Sequence, residues 1–292
     1  MLKQRGVPGC LTGDSIVLCG KDIYNLFPMY YNNEKIGFFP LRERDCQNRR
    51  GVGMMDSKKI KQLVMSHRNF FQFATKVYNH LVPKNKLHAK GVTLNCGVVL
   101  INGLKIYSNG TDNQIVLGDF VQIRNSTIII QGSHNRVSLG DFSVLNQVEL
   151  CMMDDHNEFV VGEHTGLCGK AELAAVEGTK IVIGDRCMLS GQLHFRTGDS
   201  HRVVDMDGKR INPSRDIVIG NHVWIGTRVT CLKGVRVPDN CIVAATTTLC
   251  GQYQQENTVI AGVPGKVVKT GVNWNAELLP MDRQEEKQGL IS

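Results

Sequence analysis

Through Ile225, Cys231, Val237, Val243 and Leu249 an apolar side chain returns at every sixth position, with small or polar residues between. Neither an α-helix nor a hairpin has that period. It is the pattern of a parallel β-helix, whose flat faces are short strands and whose corners are turns. The repeat reaches upstream in a longer form. Blocks of the type Asn113-Gln114-Ile115-Val116-Leu117-Gly118-Asp119 begin at Asn113, Asn135, Asn157 and Thr179, each 22 residues after the last. The next block, Arg215 to Asn221, begins 36 residues after Thr179 and so carries an excess of 14. The excess predicts a loop extruded between Phe195 and Ile217. Its runs Thr197-Gly198-Asp199-Ser200-His201 and Asp205-Met206-Asp207-Gly208 are turn formers. Insertions in solenoids gather on one face, often the working one.

A different period precedes the repeats. Between Asp56 and Leu81 the apolar residues Ile60, Leu63, Val64, Phe70, Phe71, Ala74, Val77, Tyr78 and Leu81 fall at helical spacing, and Pro83 follows. This predicts one long helix over about 56–82 that covers the open end of the solenoid, since terminal coils need a cap. Its polar face, with Lys58, Lys59, Lys61, Arg68 and Lys76, is also suited to an anionic membrane surface. The expected organisation is an irregular segment plus this helix over 1–85, the repeats over 86–270 with the extruded loop at about 196–216, and a tail over 271–292. Residues 1–55 show no period.

Composition narrows the setting. The 292 residues are 42% hydrophobic, enough for one or two cores, and no apolar run approaches the roughly 18 residues that span a bilayer. No apolar signal segment follows Met1, so a cytoplasmic protein is expected. The ten cysteines form no C-x-x-C pair and partly occupy hexad positions (Cys231, Cys241), which reads as core packing in a reducing compartment. The net charge of +7 is scattered, with no basic block interleaved by aromatics, so nucleic acid is not an expected partner.

Four segments carry a resemblance. They are Asp199-Ser200-His201, Ile219-Gly220-Asn221-His222-Val223-Trp224-Ile225-Gly226, Lys233-Gly234-Val235, and Ala261-Gly262-Val263-Pro264-Gly265-Lys266-Val267-Val268-Lys269. In this order they resemble the hexapeptide-repeat acyltransferases, and among them the bacterial O-acetyltransferases of surface polysaccharides. The likeness is strong over residues 195–274, weak over the earlier repeats and absent from the first 55. It implies a mainly β fold, a left-handed parallel β-helix with an N-terminal helical and irregular extension. The left hand comes from the resemblance, because crossover rules alone favour the right hand. It also implies acetyl-CoA as co-substrate with no metal, a carbohydrate acceptor, and a homotrimer with each active site between neighbouring subunits.

The resemblance assigns roles by position. His201 matches the family's general base, and a neutral imidazole can accept the proton of a sugar hydroxyl as it attacks an already activated thioester. Asp199 is a candidate to orient that ring, with Asp205 and Asp207 as rivals, and all three are equally good turn formers. Trp224 matches the active-site tryptophan, a flat surface for a pantetheine arm or a sugar, or simply a corner aromatic. Gly226, Thr227 and Ala244 align with positions that line the coenzyme A channel, and Lys266 and Lys269 suit its phosphates. A backbone N–H of a coil turn is the expected oxyanion donor. Other readings keep part of this picture: an N-acyltransferase acting on a nucleotide-linked amino sugar, a non-catalytic scaffold, or a zinc-dependent carbonic anhydrase using His194, His201 and His222.

Overall fold

The computed structural model describes residues 57–276, together with the backbone of a short antiparallel hairpin, Tyr30–Tyr31 with Glu34–Lys35. The expectations for the remainder of residues 1–56 and for the tail beyond 276 lie outside the described residues. From residue 86 onward the chain winds into a prism with three faces. The first face stacks Val92–Cys96, Asn113–Leu117, Arg136–Leu139, Glu158–Val161, Lys180–Ile183, Ile217–Ile219 and Arg236–Val237, every neighbouring pair parallel. The second runs from Leu100–Asn102 to Thr258–Ala261, and the third from Lys105–Ser108 to Thr248–Leu249. The fold class is therefore the expected one, a mainly β parallel helix.

Alternation explains the packing. Along each short strand every second side chain points inward, and parallel pairing sets it over its counterpart in the next coil. Ile115, Val137, Phe159, Ile181 and Ile217 form one such buried column. The 36-residue step is absorbed without slippage, because Ile181 pairs with Ile217. Cys187, Cys231 and Cys241 are buried free thiols in the same core.

Each block closes on a glycine followed by Asp, Glu or Asn, and the pair has a physical cause. At Gly118 a Cβ would stand 2.3 Å from Asp141 Oδ1, and at Gly184 2.6 Å from the backbone oxygen of Gly220, so only glycine lets the coils stack. At several coils an Asp at this corner accepts a backbone N–H from the coil before it. Asp119 N–H donates to Asp141 Oδ1 at 2.7 Å, Glu163 to Asp185 at 2.8 Å, and Asn221 to Asp239 at 2.7 Å. A second, buried ladder joins Asn135 N–H to Asn113 Oδ1 at 2.9 Å and Asn157 N–H to Asn135 Oδ1 at 2.8 Å. Corner N–H groups that no strand can satisfy are thus paired by side chains.

The N-terminal helix differs from expectation. It is two helices, α1 (Ser57–Ser66) and α2 (Arg68–Leu81), broken at His67. Val64, Phe71 and Tyr78 do pack on Val98, Leu100 and Phe120 of the first coils. Phe70, Val77 and Leu81, however, are exposed, and the buried positions of α2 are Thr75 and Asn79. The reason is the open edge of the first coil, whose backbone needs partners more than it needs apolar contact. Asn79 supplies them on both sides, donating to Val99 O and accepting from Ile101 N–H, each at 3.0 Å. Gln72 donates to Cys96 O at 2.6 Å, and Asn85 accepts from Gly103 N–H at 2.6 Å. No helix among the described residues is long and apolar enough to cross a membrane.

Candidate active site

The extruded segment joins the third-face strand Leu193–Arg196 to the first-face strand Ile217–Ile219, so it leaves the prism at the corner opposite the second face. Its base is fixed. Buried Thr197 accepts Val176 N–H through Oγ1 at 3.1 Å, lies 2.6 Å from Thr179 Oγ1, and its carbonyl accepts Arg215 N–H at 2.8 Å. Its outer part is a small hairpin. Ile211 N–H donates to Val203 O and Asp205 N–H to Lys209 O, each at 2.9 Å, around a tip at Met206. Asp205 is a turn former here, since its Oδ1 accepts from the N–H groups of Asp207 at 3.1 Å and Lys209 at 2.8 Å.

Asn212 holds this loop together. Its Nδ2 donates to Asp199 Oδ2 and to the backbone oxygen of His201, both at 2.8 Å, while its Oδ1 accepts Val203 N–H at 2.8 Å and Arg210 Nε–H at 3.2 Å. Arg210 pairs in turn with Glu177 at 2.6 Å. His201 itself is exposed, and its ring makes no hydrogen bond among the described residues. The latch therefore fixes its backbone and leaves its imidazole to an incoming group.

In this structure Asp199 is engaged by groups other than the His201 ring. Asp199 accepts from Lys233 Nζ and from Asn212, and Lys233 followed by Asn212 pulls its carboxyl below the usual range. The coil after the loop brings Lys233 to this corner, and an ammonium offers a carboxylate more than a neighbouring neutral ring does. Asp199 thus shapes the loop. Neither Asn212 nor Trp274, described below, was singled out by the sequence, and Lys233 entered only as part of a motif.

The latch carries two expected outcomes. On the role that the resemblance implies for His201, Asn212→Ala should lower thiol release from acetyl-CoA by on the order of 10²-fold through misplacement of that ring, while thermal unfolding of the prism barely moves; thiol-release kinetics and circular dichroism read the two. Arg210 above all, with Ser214 assisting, holds the Glu177 carboxyl down at about 2. A carboxyl depressed in the folded state contributes fully above its unfolded pKa and loses that contribution as pH falls toward the folded one. Protection of the hairpin amides, taken as exchange relative to the free-peptide rate at the same pH, should accordingly fall between the ordinary carboxylate range and pH 2, and Glu177→Gln should remove that dependence.

The remaining candidates lie elsewhere on the prism. Trp224 points outward on the second face beside buried Ile225, in a strand paired with Met188–Leu189 and Ile242–Val243. Trp274 flanks it, with ring centroids 6.0 Å apart. Trp274 stacks on His222 at 4.5 Å and donates from Nε1 to His222 O at 2.8 Å. His222 occupies a corner of the prism, where it sits at φ 52° and its Nδ1 lies 3.0 Å from Asn240 Oδ1. Gly226, Thr227 and Ala244 follow the second-face strands at the next corner. A Cβ on Gly226 would come within 2.7 Å of Ala245 N, and Thr227 donates to Gly191 O at 2.9 Å. Lys266 and Lys269 are exposed on Lys266–Thr270, which pairs antiparallel with Thr258–Ala261 at the end of this face.

The candidates fall into two groups. Trp224, Gly226, Thr227, Ala244, Lys266 and Lys269 share the second face and its edge; Asp199 and His201 occupy the opposite corner. One chain does not bring them together. Nor do His194, His201 and His222 converge: His194 faces Glu172 at 3.7 Å, and no cluster of three or more His, Cys, Asp or Glu capable of holding a metal occurs among the described residues.

The proteins that this parallel β-helix is similar to are polysialic acid O-acetyltransferases and other hexapeptide-repeat acetyltransferases. It is 33% identical over 111 residues to a polysialic acid O-acetyltransferase of Neisseria meningitidis, covering 38% of this chain and 52% of that one. It is 26% identical over 141 residues to the corresponding enzyme of Escherichia coli, covering 39% and 46%. The chain thus spans about half the length of these curated relatives. Among solved structures, the polysialic acid O-acetyltransferase OatWY superposes with a TM-score of 0.58 at 29% identity, covering 69% of this chain and 95% of the other. The polysialic-acid-specific acetyltransferase NeuO gives a TM-score of 0.61 at 25% identity, covering 68% and 82%. No family model matches the chain.

Proposed function

We propose that the protein is an acetyl-CoA-dependent O-acetyltransferase that acts inside the cell on a sugar hydroxyl of a bacterial surface polysaccharide or its precursor. The observation that carries the reading is the latched loop, which presents an unengaged His201 imidazole on the same scaffold as two polysialic acid O-acetyltransferases. A ring nitrogen of His201 takes the proton of the sugar hydroxyl as its oxygen attacks the thioester carbonyl carbon. The tetrahedral intermediate, held by a backbone N–H of a coil turn, collapses with cleavage of the C–S bond. The imidazolium returns the proton to the departing thiolate.

The donor half is the second face. Trp224 offers a flat ring to the pantetheine arm or the sugar. Gly226, Thr227 and Ala244 keep the adjoining edge low, and Lys266 and Lys269 face the phosphates of coenzyme A as point charges. Because these groups and His201 occupy opposite sides of one prism, a working site takes the two halves from neighbouring copies, as in a homotrimer. The test is thiol release from acetyl-CoA against capsule-type glycans, including acidic ones, and nucleotide-linked amino sugars. Release that depends on a glycan hydroxyl supports the reading. Release only with the amino sugars makes the enzyme an N-acyltransferase, and none with any acceptor leaves a non-catalytic scaffold.

A further inference from the structure

Helix α2 carries apolar residues on two sides, since Phe71 and Tyr78 pack on the first coils while a second set faces outward. Its buried side carries Thr75 and Asn79, which serve the open strand edge. Its outer side carries Phe70, Phe73, Val77 and Leu81, exposed by 64%, 67%, 43% and 74%. The spacing of three, four and four residues sets them in one stripe along the helix. An exposed stripe of two phenylalanines, a valine and a leucine costs solubility unless something covers it.

The charge around it says what kind of surface does. From residue 57 to 111 the chain contains no Asp or Glu, while Lys and Arg occur nine times. Arg68 is spent on Asp119, at 2.8 Å. Lys76 on α2, Lys84 and Lys86 directly after it, and Lys90 in the first coil are exposed and make no ion pair among the described residues. A second copy docked through the same patch would set this carboxylate-free, cationic end against itself, which like charges oppose. An anionic bilayer complements both features, because its headgroups meet the lysines and its acyl boundary takes the aromatic stripe.

We propose that the helical end of the prism is a peripheral docking surface for anionic lipid membranes, with α2 lying in the interface and its Phe70, Phe73, Val77 and Leu81 stripe inserted. The docking surface is separate from the acetyl-transfer residues and does not depend on them.

The experiment is co-sedimentation of the full chain with vesicles of phosphatidylcholine alone or mixed with phosphatidylglycerol. Variants Phe73→Ser/Leu81→Ser and Lys84→Ala/Lys86→Ala are compared with wild type, with circular dichroism melts as the control for folding. Wild type should partition onto the mixed vesicles and hardly onto neutral ones. The apolar variant should bind roughly tenfold or more weakly, and the lysine variant should bind more weakly with a flatter dependence on ionic strength. Absence of binding to mixed vesicles, or unchanged binding by the folded apolar variant, overturns the proposal. A drop in molar mass of the apolar variant by light scattering also overturns it, because a second copy is then what covers the stripe. So does binding confined to soluble dextran sulfate, which assigns the patch to polyanions.

Discussion

Replacing His201 by alanine should lower the rate of acetyl transfer by roughly 10²–10⁴-fold, the range that a positioned base supplies, with no change in fold. The structural cost is small because the ring is exposed and makes no hydrogen bond among the described residues, while the contacts that shape the loop go through its backbone oxygen, Asn212 and Asp199. The sugar hydroxyl would then reach the thioester without a proton acceptor, although the donor half remained able to bind acetyl-CoA. Thiol release at saturating acetyl-CoA reads the loss, and an unchanged melting curve shows that the variant is folded. A folded variant with the wild-type rate removes His201 from the chemistry. Asp199→Asn should fall between the two, because it weakens the Lys233 contact without emptying the loop.

Truncating Phe195 to alanine should cost about 3–5 kcal/mol of unfolding free energy, the range for a large aromatic removed from a packed core. Phe195 is fully buried between Leu173 and Cys231 of the neighbouring coils, and two residues later the chain leaves the prism as the histidine loop. Parallel coils cannot close over the resulting void, because ladder hydrogen bonds fix their spacing. Lys170→Ala gives the contrast. It breaks a solvent-exposed pair with Glu172 at 3.2 Å, and such pairs contribute ~0–1 kcal/mol. Urea unfolding of both variants separates the two. Equal costs would mean that the coil bearing the loop is not packed as described.

What the sequence made legible follows from periodicity. A residue that must face the core at every coil returns at a fixed interval, so the columns through Ile181 and Ile217 and the corner pairs such as Gly118-Asp119 could be read from spacing alone. The extruded loop was equally visible, as a 14-residue break in a 22-residue count. The N-terminal helix is less legible because its outward apolar stripe has the same period as the inward set of Val64, Phe71 and Tyr78; the backbone at Val99 and Ile101 claims Asn79 for the buried side. The contacts of Asp199 are hidden from the sequence for a related reason. Its partner, Lys233, is 34 residues away in sequence, and only coil stacking makes them neighbours. Trp274 lies past the last repeat, where no period marks it, yet it covers His222 and flanks Trp224. The division of candidate residues between opposite sides of the prism is a property of three dimensions that no spacing along the chain expresses.

The central claim is that His201 and the Trp224 face act together although one chain holds them apart, and mixing two disabled variants tests it most directly. His201→Ala and Trp224→Ala subunits are unfolded together, refolded as an equimolar mixture, and assayed for thiol release with an accepting glycan. If each site draws His201 from one copy and Trp224 from its neighbour, the mixture recovers about a quarter of the wild-type rate, the chance that two randomly drawn neighbours each supply an intact half. A mixture no more active than the average of the two variants alone would contradict the account.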